Sequence, residues 1–303
     1  MKRSGLVFSF LLISCCLGRQ AEQGTNPTQP DRTTDAKKWF AEASAAYGEK
    51  DFLKAAELYV RVLDAGTTWP TVPYNAACCY ARLGRTGDAF KYLELAVQKG
   101  WSDVEHLKSD ADLESLRADP RWEGIVRACS VQRDASLKSM ANPQLHTELL
   151  ERMRTDQNVR NAQPIDALQL MRIDSDNTAW MREVIEKHGW PGEAMVGEEG
   201  AQAAWLLVQH ADQDPAFQRR CLELLTQAHK KGDASAQHVA YLTDRVFLAE
   251  GKPQVYGTQF HTVDGKLIPR PIENEAEVDQ RRSAMGLGSL AEYAEQMRAV
   301  YPP

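Results

Sequence analysis

The chain has 303 residues, of which 43% are hydrophobic, and 36 basic against 42 acidic side chains give a net charge of −6. This length predicts about two domains, and the charge balance offers no basic surface for nucleic acid. The only long apolar run lies near the N-terminus, which excludes a polytopic membrane protein.

Residues 1–15 predict a lipoprotein-type signal peptide. Lys2 and Arg3 form a positive region, and the apolar run at 5–13 suits a signal core but is too short to span a bilayer. The LISC sequence that ends at Cys15 resembles the bacterial lipobox, which implies lipidation of Cys15 and anchoring to the cell envelope. Cys16 is not the Asp that retains lipoproteins in the inner membrane, so the outer membrane is expected if the source has two membranes. The alternative is a plain secretory signal and a soluble periplasmic or secreted protein.

Residues 16–35 are polar and carry almost no large apolar side chain. They cannot bury enough surface to fold. We expect a disordered tether between the lipid and the first domain.

Residues 36–130 repeat with a period of 34. The paired positions are Ala43 with Ala77, Ala46 with Tyr80, Ala55 with Ala89, Tyr59 with Leu93, and Val62 with Ala96. This period and its alternation of small and large residues resemble tetratricopeptide (TPR) repeats, in which pairs of helices stack. A third, less faithful unit contains the helix start Asp119-Pro120. The resemblance implies a groove for a protein or peptide partner, and a spacer role is the alternative.

The six cysteines are Cys15, Cys16, Cys78, Cys79, Cys129 and Cys221. They contain no CxxC pair, so we expect those beyond the signal to be buried small hydrophobic residues. A bridge between Cys129 and Cys221 is the alternative in an oxidising compartment.

From residue 143 to 303 the 34-residue period is lost, but helical patterns continue. They cover 144–158, 177–188, 197–211, 215–231, 234–250 and 289–300. Asp176 is the expected N-cap of the second of these helices, and Ser289 with Glu292 is the expected capping box of the last. The run QVYGTQFHTV, followed by Asp264-Gly265, predicts a β-hairpin near 254–268. The expected fold is therefore mainly α, with a short TPR helical array followed by an α-helical domain that carries one β-hairpin.

Polar residues of this second domain recur at regular spacings. Glu198, Gln202, Trp205 and Gln209 share one arc of a helix, as expected of groups that line a polar cavity. A second helix carries a polar stripe, and strand alternation at 254–259 would present further polar groups. The predicted ligand-binding residues are Gln202, Gln209, Gln237, Tyr241, Arg245, Gln254, Tyr256 and Gln259.

Four motifs carry a resemblance to a family. They are GWP at 189–191, QAAWLLVQHAD at 202–212, YLTDR at 241–245 and QVYGTQ at 254–259. Together they resemble an uncharacterised bacterial domain that often follows TPR units in secreted proteins, and Asp156-Gln157-x-x-Arg160 fits its opening helix. The resemblance covers about residues 144–300 and implies no activity, only that these polar positions share a site.

Three residues are candidates for proton transfer, namely His210 as a general base, Asp212 as its orienting partner, and Asp244. Each also has a structural interpretation. His210 would cap a helix end, Asp212 would open a turn, and Asp244 would pair with Arg160 in a buried network. Asp156 and Arg160, four residues apart, are expected to form a surface pair. The histidines lack metal-ligand spacing, and the chain lacks a Gly-rich phosphate loop, so no metal and no cofactor are predicted.

Two functions follow from these observations. The first is an envelope-anchored lipoprotein whose repeats bind a protein or peptide partner and whose second domain is a recognition module. The second is a cell-envelope hydrolase or transferase that uses His210, Asp212 or Asp244. The sequence leaves open whether the protein is an enzyme.

Overall fold

The computed structural model describes residues 32–162 and 164–300. The predicted lipidation site at Cys15 and most of the tether lie outside these ranges. The chain divides into two compact units, which meet in sequence between Ser139 and Met140. Within the described ranges, no helix has both the length and the apolar character needed to cross a bilayer.

The first unit consists of consecutive helices that pack against their neighbours in sequence. They are α1 (Arg32–Gly48), α2 (Phe52–Asp64), α3 (Thr71–Arg82), α4 (Thr86–Gln98), α5 (Val104–Ser109), a 3-10 helix (Ala111–Leu116) and α6 (Trp122–Ser139). Helices α2 and α4 are followed by Gly66 and Gly100, which both have positive φ (89° and 108°) and lie 34 positions apart. The repeat therefore extends to the turns that end its helices.

All ten residues that the 34-residue period pairs are buried, from Ala43 and Ala77 to Val62 and Ala96. Small side chains stand where helices approach closely, and large ones such as Tyr59 and Leu93 fill the space between them. The helix-pair repeat is thus present in the fold, while the assignment to the TPR family stays a prediction.

The second unit is also mainly helical. Its elements are α7 (Pro143–Asn161), α8 (Ala167–His188), α9 (Glu193–Gln209), α10 (Pro215–Lys230), α11 (Ala236–Ala249), β1 (Phe260–Val263), β2 (Lys266–Pro269), a 3-10 helix (Glu275–Glu277), α12 (Val278–Ala284) and α13 (Leu290–Val300). Helix α9 is the most apolar of them and packs against α7, α8, α10 and α11. The core around it includes Leu149, Met181, Leu207, Phe217 and Leu242. The predicted mainly α fold with one hairpin is confirmed.

The start of α8 differs from the prediction. Asp166 caps this helix by accepting hydrogen bonds from the backbone N–H groups of Leu168 (2.9 Å) and Gln169 (3.1 Å). Asp176, the predicted cap, lies inside the helix and pairs with Arg152 at 2.7 Å. The helix is therefore ten residues longer at its start, because an earlier Asp satisfies the first free N–H groups.

The hairpin has the predicted turn but shorter strands. Phe260 pairs with Pro269 and Val263 with Lys266, and Asp264 and Gly265 have the positive φ angles (49° and 75°) that a two-residue turn requires. The segment 254–259 is not part of either strand, apart from one isolated bridge between Gln254 and Ile272. The predicted strand alternation at 254–259 is therefore wrong.

Cys78, Cys79, Cys129 and Cys221 are all buried free thiols. Cys129 belongs to the core of the first unit and Cys221 to that of the second. These two cysteines are not bridged in this structure, and burial raises the pKa of both thiols, to about 11 and about 12 respectively.

Candidate functional site

A cleft of about 280 Å³ opens in the second unit. Most of its lining is charged or polar. The lining residues come from helices α7, α8 and α11, from the segment after α9, and from the residues on either side of the hairpin. The lining residues are Arg160, Arg245 and Arg270, Asp174 and Asp212, His210 and Gln259, and Leu170 and Leu248. Several separate elements thus converge on one small space, which makes the cleft a candidate ligand site.

Asp156 lies at the base of this cleft and is completely buried. Its carboxylate oxygens lie 3.0 and 3.1 Å from His210 Nδ1 and accept hydrogen bonds from Arg160 Nε (3.2 and 3.1 Å). Gln157 Nε2 donates to the same carboxylate at 2.8 Å. One turn of α7 and the end of α9 therefore bring together an acid, a base and a fixed positive charge.

The pKa shifts at Asp156 and His210 determine where the proton lies. Burial raises the pKa of Asp156, but hydrogen bonds from His210 and Arg160 and the nearby positive charge outweigh it and lower the pKa to about 2. Burial lowers the pKa of His210, although Asp156 opposes this change. Asp156 is therefore ionised and His210 neutral at pH 7, so Nδ1–H donates to the carboxylate and the lone pair lies on Nε2.

Arg160 also binds Asp174 of α8 through Nη2. Burial is the largest cause that raises the pKa of Asp174 to about 6, and the negative charges of Asp156 and Asp212 add to it while Arg160 opposes it. Asp174 can therefore gain and lose a proton near neutral pH. This property is common among groups that take part in acid–base chemistry or proton-linked binding.

Arg245 of α11 forms the opposite wall. Its Nε donates to Gln209 Oε1 at 2.7 Å, and its Nη1 lies 2.7 and 2.8 Å from the two oxygens of Asp212. Gln218 Nε2 donates to the carbonyl of Gln209 and to Asp212 Oδ1, at 3.1 and 3.2 Å. The buried amide of Gln209 thus fixes the guanidinium of Arg245, whereas Asp212, which Gln218 also contacts, reaches it from the solvent side.

Asp244 supports the segment 254–259 from behind. Its oxygens accept hydrogen bonds from the backbone N–H groups of Val255 (2.7 Å), Tyr256 (2.9 Å) and Thr258 (2.8 Å), and from the Thr258 hydroxyl (2.9 Å). Burial raises the pKa of Asp244, and these hydrogen bonds oppose the rise. Asp244 is not among the residues that line the cleft, so its place in the structure is that of a loop anchor rather than of a proton donor or acceptor.

The same loop is closed by groups that the sequence did not indicate. Arg282, which is almost fully buried, donates from Nη1 to the carbonyl of Tyr256 (2.7 Å) and from Nε to the carbonyl of Gly288 (2.6 Å). Gly257 has a positive φ of 67°, and the side chains of Leu290 and Ile272 lie within 3 Å of the position that a Cβ would take. The packing explains the glycine without a ligand.

Comparison with known proteins assigns the second unit to a family. The sequence model of a family of unknown function, DUF6624, matches residues 143–302, which is more than half of the chain. The chain belongs to this family.

A chloroplastic protein from Arabidopsis thaliana is 35% identical to this chain over 54 residues. That match covers 18% of this chain and 16% of the plant protein, so the chain matches less than a fifth of that protein's length. No solved structure matches the chain significantly.

Five of the predicted site residues come together in the cleft of the DUF6624 domain or beside it. His210, Asp212, Arg245 and Gln259 line the cleft, and Gln209 holds Arg245. His210 pairs with Asp156 rather than with Asp212, because the imidazole turns toward α7.

The remaining predicted residues lie elsewhere in the DUF6624 domain. Gln237 donates to the carbonyl of Gly286 at 2.9 Å, and the Tyr241 ring packs edge-on against Tyr293. Gln254 is fully buried and donates to the carbonyls of Gln259 and Arg270, at 3.0 and 2.8 Å. The other residues outside the cleft lining are Gln202 and Tyr256, both partly exposed.

Two expectations about ion pairs are wrong. The pair of Asp156 and Arg160 is buried, with side-chain exposures of 0% and 7%, rather than on the surface. Arg160 binds Asp156 and Asp174 rather than Asp244. The cleft residues Asp174 and Arg270 were missed, because nothing in their local sequence distinguishes them from solvent-exposed charges.

The donor set of the DUF6624 cleft resembles a cation site in one respect. Asp156, Asp174 and His210 each present a ligand atom within 4.8 Å of the others. Arg160 already bonds to both carboxylates and supplies the positive charge that an ion would supply. These three residues are therefore accounted for by an arginine-centred network, and we assign them no metal.

Proposed function

We propose that the protein is an envelope-anchored scaffold whose DUF6624 domain recognises a small polar ligand in the cleft. In this proposal the repeats bind a protein or peptide partner, and a lipid on Cys15 holds the chain at the membrane. The observation that carries the proposal is the cleft, where three arginines, two aspartates and one histidine from separate elements face one space.

The chemistry of the lining favours recognition for a specific reason. Arg160 and Arg245 are both buried, and each is fixed by a buried partner, Asp156 and Gln209 respectively. Side chains fixed in this way lose little entropy when a ligand binds, so the cleft is preorganised. Burying such charges lowers the stability of the fold, and a role in ligand binding would explain why the fold tolerates this cost.

A thermal-shift panel tests this proposal. The full chain is screened against defined small molecules from four classes, namely monosaccharides, amino acids, aliphatic carboxylates and inorganic phosphate. We expect at least one class to raise the melting temperature of the wild type but not that of Arg245→Gln. Arg82→Gln, an exposed change in the first unit, is the control and should respond like the wild type. Equal shifts in all three proteins, or none, would contradict a recognition cleft.

The anchor and the partner rest on the sequence pattern and need their own test. Mass spectrometry of the mature N-terminus should find an acylated Cys15, and Cys15→Ser should release the protein from the membrane fraction. An unmodified N-terminus downstream of Cys16 would contradict the anchor.

One observation favours the second candidate function, a cell-envelope hydrolase or transferase. The neutral imidazole of His210 belongs to the cleft lining and is oriented by Asp156, which is the pairing of a general base with its orienting carboxylate. Turnover of chromogenic ester and phosphate substrates, abolished in His210→Gln, would support this candidate over recognition alone.

A further inference from the structure

The two buried arginines of the cleft share one arrangement. Each binds a buried partner on the protein side and a more exposed carboxylate on the cleft side. For Arg245 the exposed partner is Asp212, and the side-chain exposures are 9% and 58%. For Arg160 the exposed partner is Asp174, and the exposures are 7% and 17%. The cations are therefore fixed, and the carboxylates that face them differ in how easily they can leave.

Asp212 is the carboxylate that can be exchanged. It lies on the segment after α9 rather than within a helix, and more than half of its side chain meets water. Such a pair opens at a lower cost than a fully buried one, since water hydrates the Asp212 carboxylate when it leaves the guanidinium. Arg245 would stay in position, because Gln209 Oε1 still accepts from its Nε at 2.7 Å.

From this geometry we propose that the cleft binds a small organic acid whose carboxylate replaces Asp212 on Arg245. The inference rests on the proposed recognition function and names its ligand class. A ligand carboxylate would reproduce the contact already present, in which two oxygens lie 2.7 and 2.8 Å from one guanidinium nitrogen. The exchange also keeps one carboxylate on Arg245, because the Asp212 side chain turns toward water as the ligand takes its place.

The rest of the lining limits the size and character of this acid. Leu170 and Leu248 provide an apolar wall, and Arg270 adds a third cation. A volume of about 280 Å³ is at the lower end for ligand sites, which suits a short aliphatic chain. Asp212 then acts as an internal competitor, which lowers the apparent affinity for the acid.

The test is an NMR titration of the full chain with butyrate. Asp212→Asn keeps the size of the side chain and removes the competing charge, so it should tighten butyrate binding by about 2- to 5-fold. Arg245→Gln should weaken binding by at least ~10-fold, because a charge-assisted hydrogen bond is lost. Arg270→Gln, at a less buried position, tests the cation requirement if Arg245→Gln fails to fold, and it should also weaken binding.

The matched control is Asp176→Asn, since Asp176 also pairs with an arginine but lies outside the cleft lining, and it should leave the affinity unchanged.

The outcomes separate this inference from the proposed function. If Asp212→Asn weakens butyrate binding or leaves it unchanged, the exchange is wrong while a recognition cleft stands. If inorganic phosphate binds the cleft more tightly than butyrate, or a panel compound binds there and butyrate does not, the carboxylate class is wrong and the cleft again stands. If neither butyrate nor any panel compound perturbs cleft resonances, both proposals fail.

Discussion

The two units place carboxylates in different surroundings. In the first unit, Asp110 accepts hydrogen bonds from Tyr74 Oη (2.8 Å) and Cys78 Sγ (3.5 Å), and Asp112 accepts from Tyr47 Oη. In the second unit, the carboxylates of the cleft are held by Arg160, Arg245 and His210. The shortest contacts to the first-unit carboxylates come from neutral hydroxyl groups, while Arg82 Nη1 (3.4 Å from Asp112) and His106 Nε2 (3.5 Å from Asp110) lie farther away. In the second unit the shortest contacts come mainly from cations.

The pKa values of the donors explain what this difference means. Burial raises the pKa of Tyr47, Tyr74 and Cys78, and the neighbouring aspartates add to the effect. These groups therefore stay protonated and act as permanent donors at any physiological pH. An arginine, in contrast, holds an oxyanion by charge and can hold a ligand's oxyanion equally well. Neutral donors thus fix a fold, whereas fixed cations beside an exposed carboxylate give the exchangeable site proposed above.

The strongest test of this comparison removes the central carboxylate of the second unit. Asp156→Ala would remove the fully buried carboxylate from Arg160 and leave only Asp174 to compensate its charge, so the free energy of unfolding of the DUF6624 domain should fall by about 3–5 kcal/mol. Hydrogen exchange read by mass spectrometry on peptides from 143–300 measures this loss. The control is Asp176→Ala, because the Asp176 side chain is 72% exposed and should cost less than about 1 kcal/mol. A loss for Asp156→Ala as small as that of the control would show that Arg160 does not depend on it.

Asp244 sharpens the comparison because it is a second-unit carboxylate with neutral donors. Asp244→Ala would leave three backbone N–H groups of the 255–258 segment without their acceptor. Only the bond from Thr258 is fully buried, so the loss should be about 1–3 kcal/mol. We expect a smaller global loss than for Asp156→Ala, and fast hydrogen exchange confined to this segment. Asp244→Asn retains one acceptor oxygen and should protect the segment partly. If Asp244→Ala left exchange in the segment unchanged, the loop would be held by Arg282 and Gln254 alone.

Sequence reasoning succeeded where the chemistry is local. The Asp264-Gly265 turn is as predicted, and Ser289 and Glu292 form the capping box before α13, with Ser289 Oγ accepting from Glu292 N at 3.2 Å. The 34-residue register predicted which small residues of the first unit are buried. In each case the residues involved are neighbours in sequence or follow a strict period, so one chain is sufficient to reveal the contact.

The predictions from sequence were wrong where a contact joins segments that are distant along the chain. Asp156 and Arg160 have the spacing of a surface pair, and only the packing of α7 on α9 makes them the buried base of a cleft. The QVYGTQ run alternates like a strand, but its backbone N–H groups turn toward Asp244, which competes with strand pairing for them. Asp166 and Asp176 are equal candidates for a helix cap by residue type, and the sequence alone favoured the wrong one.

The cleft carboxylate Asp174 should make the stability of the DUF6624 domain depend on pH. Its pKa of about 6 lies above the ordinary value of 3.8, so between about pH 4 and 6 the folded protein keeps a proton that the unfolded chain has released. Stability from this group is present below pH 4 and is lost as the pH rises through 6, by an amount on the order of 2 kcal/mol. NMR titration of the Asp174 carboxyl measures the pKa directly, and Asp174→Asn should reduce the slope of stability against pH in this window. An observed pKa below 4 would mean that the charge of Arg160 outweighs burial.

The smallest expected effect belongs to the first unit. Tyr74→Phe removes the hydrogen bond to Asp110 but retains the ring, which stacks on Trp101 with centroids 3.9 Å apart. The opening free energy of α3, read by hydrogen exchange, should therefore fall by only about 1 kcal/mol. A double-mutant cycle with Asp110→Asn isolates the pair, and its coupling energy should account for most of that loss. A coupling energy as large as the loss from Asp156→Ala would end the distinction between the two units, because a neutral phenol would then hold a carboxylate as strongly as a buried arginine does.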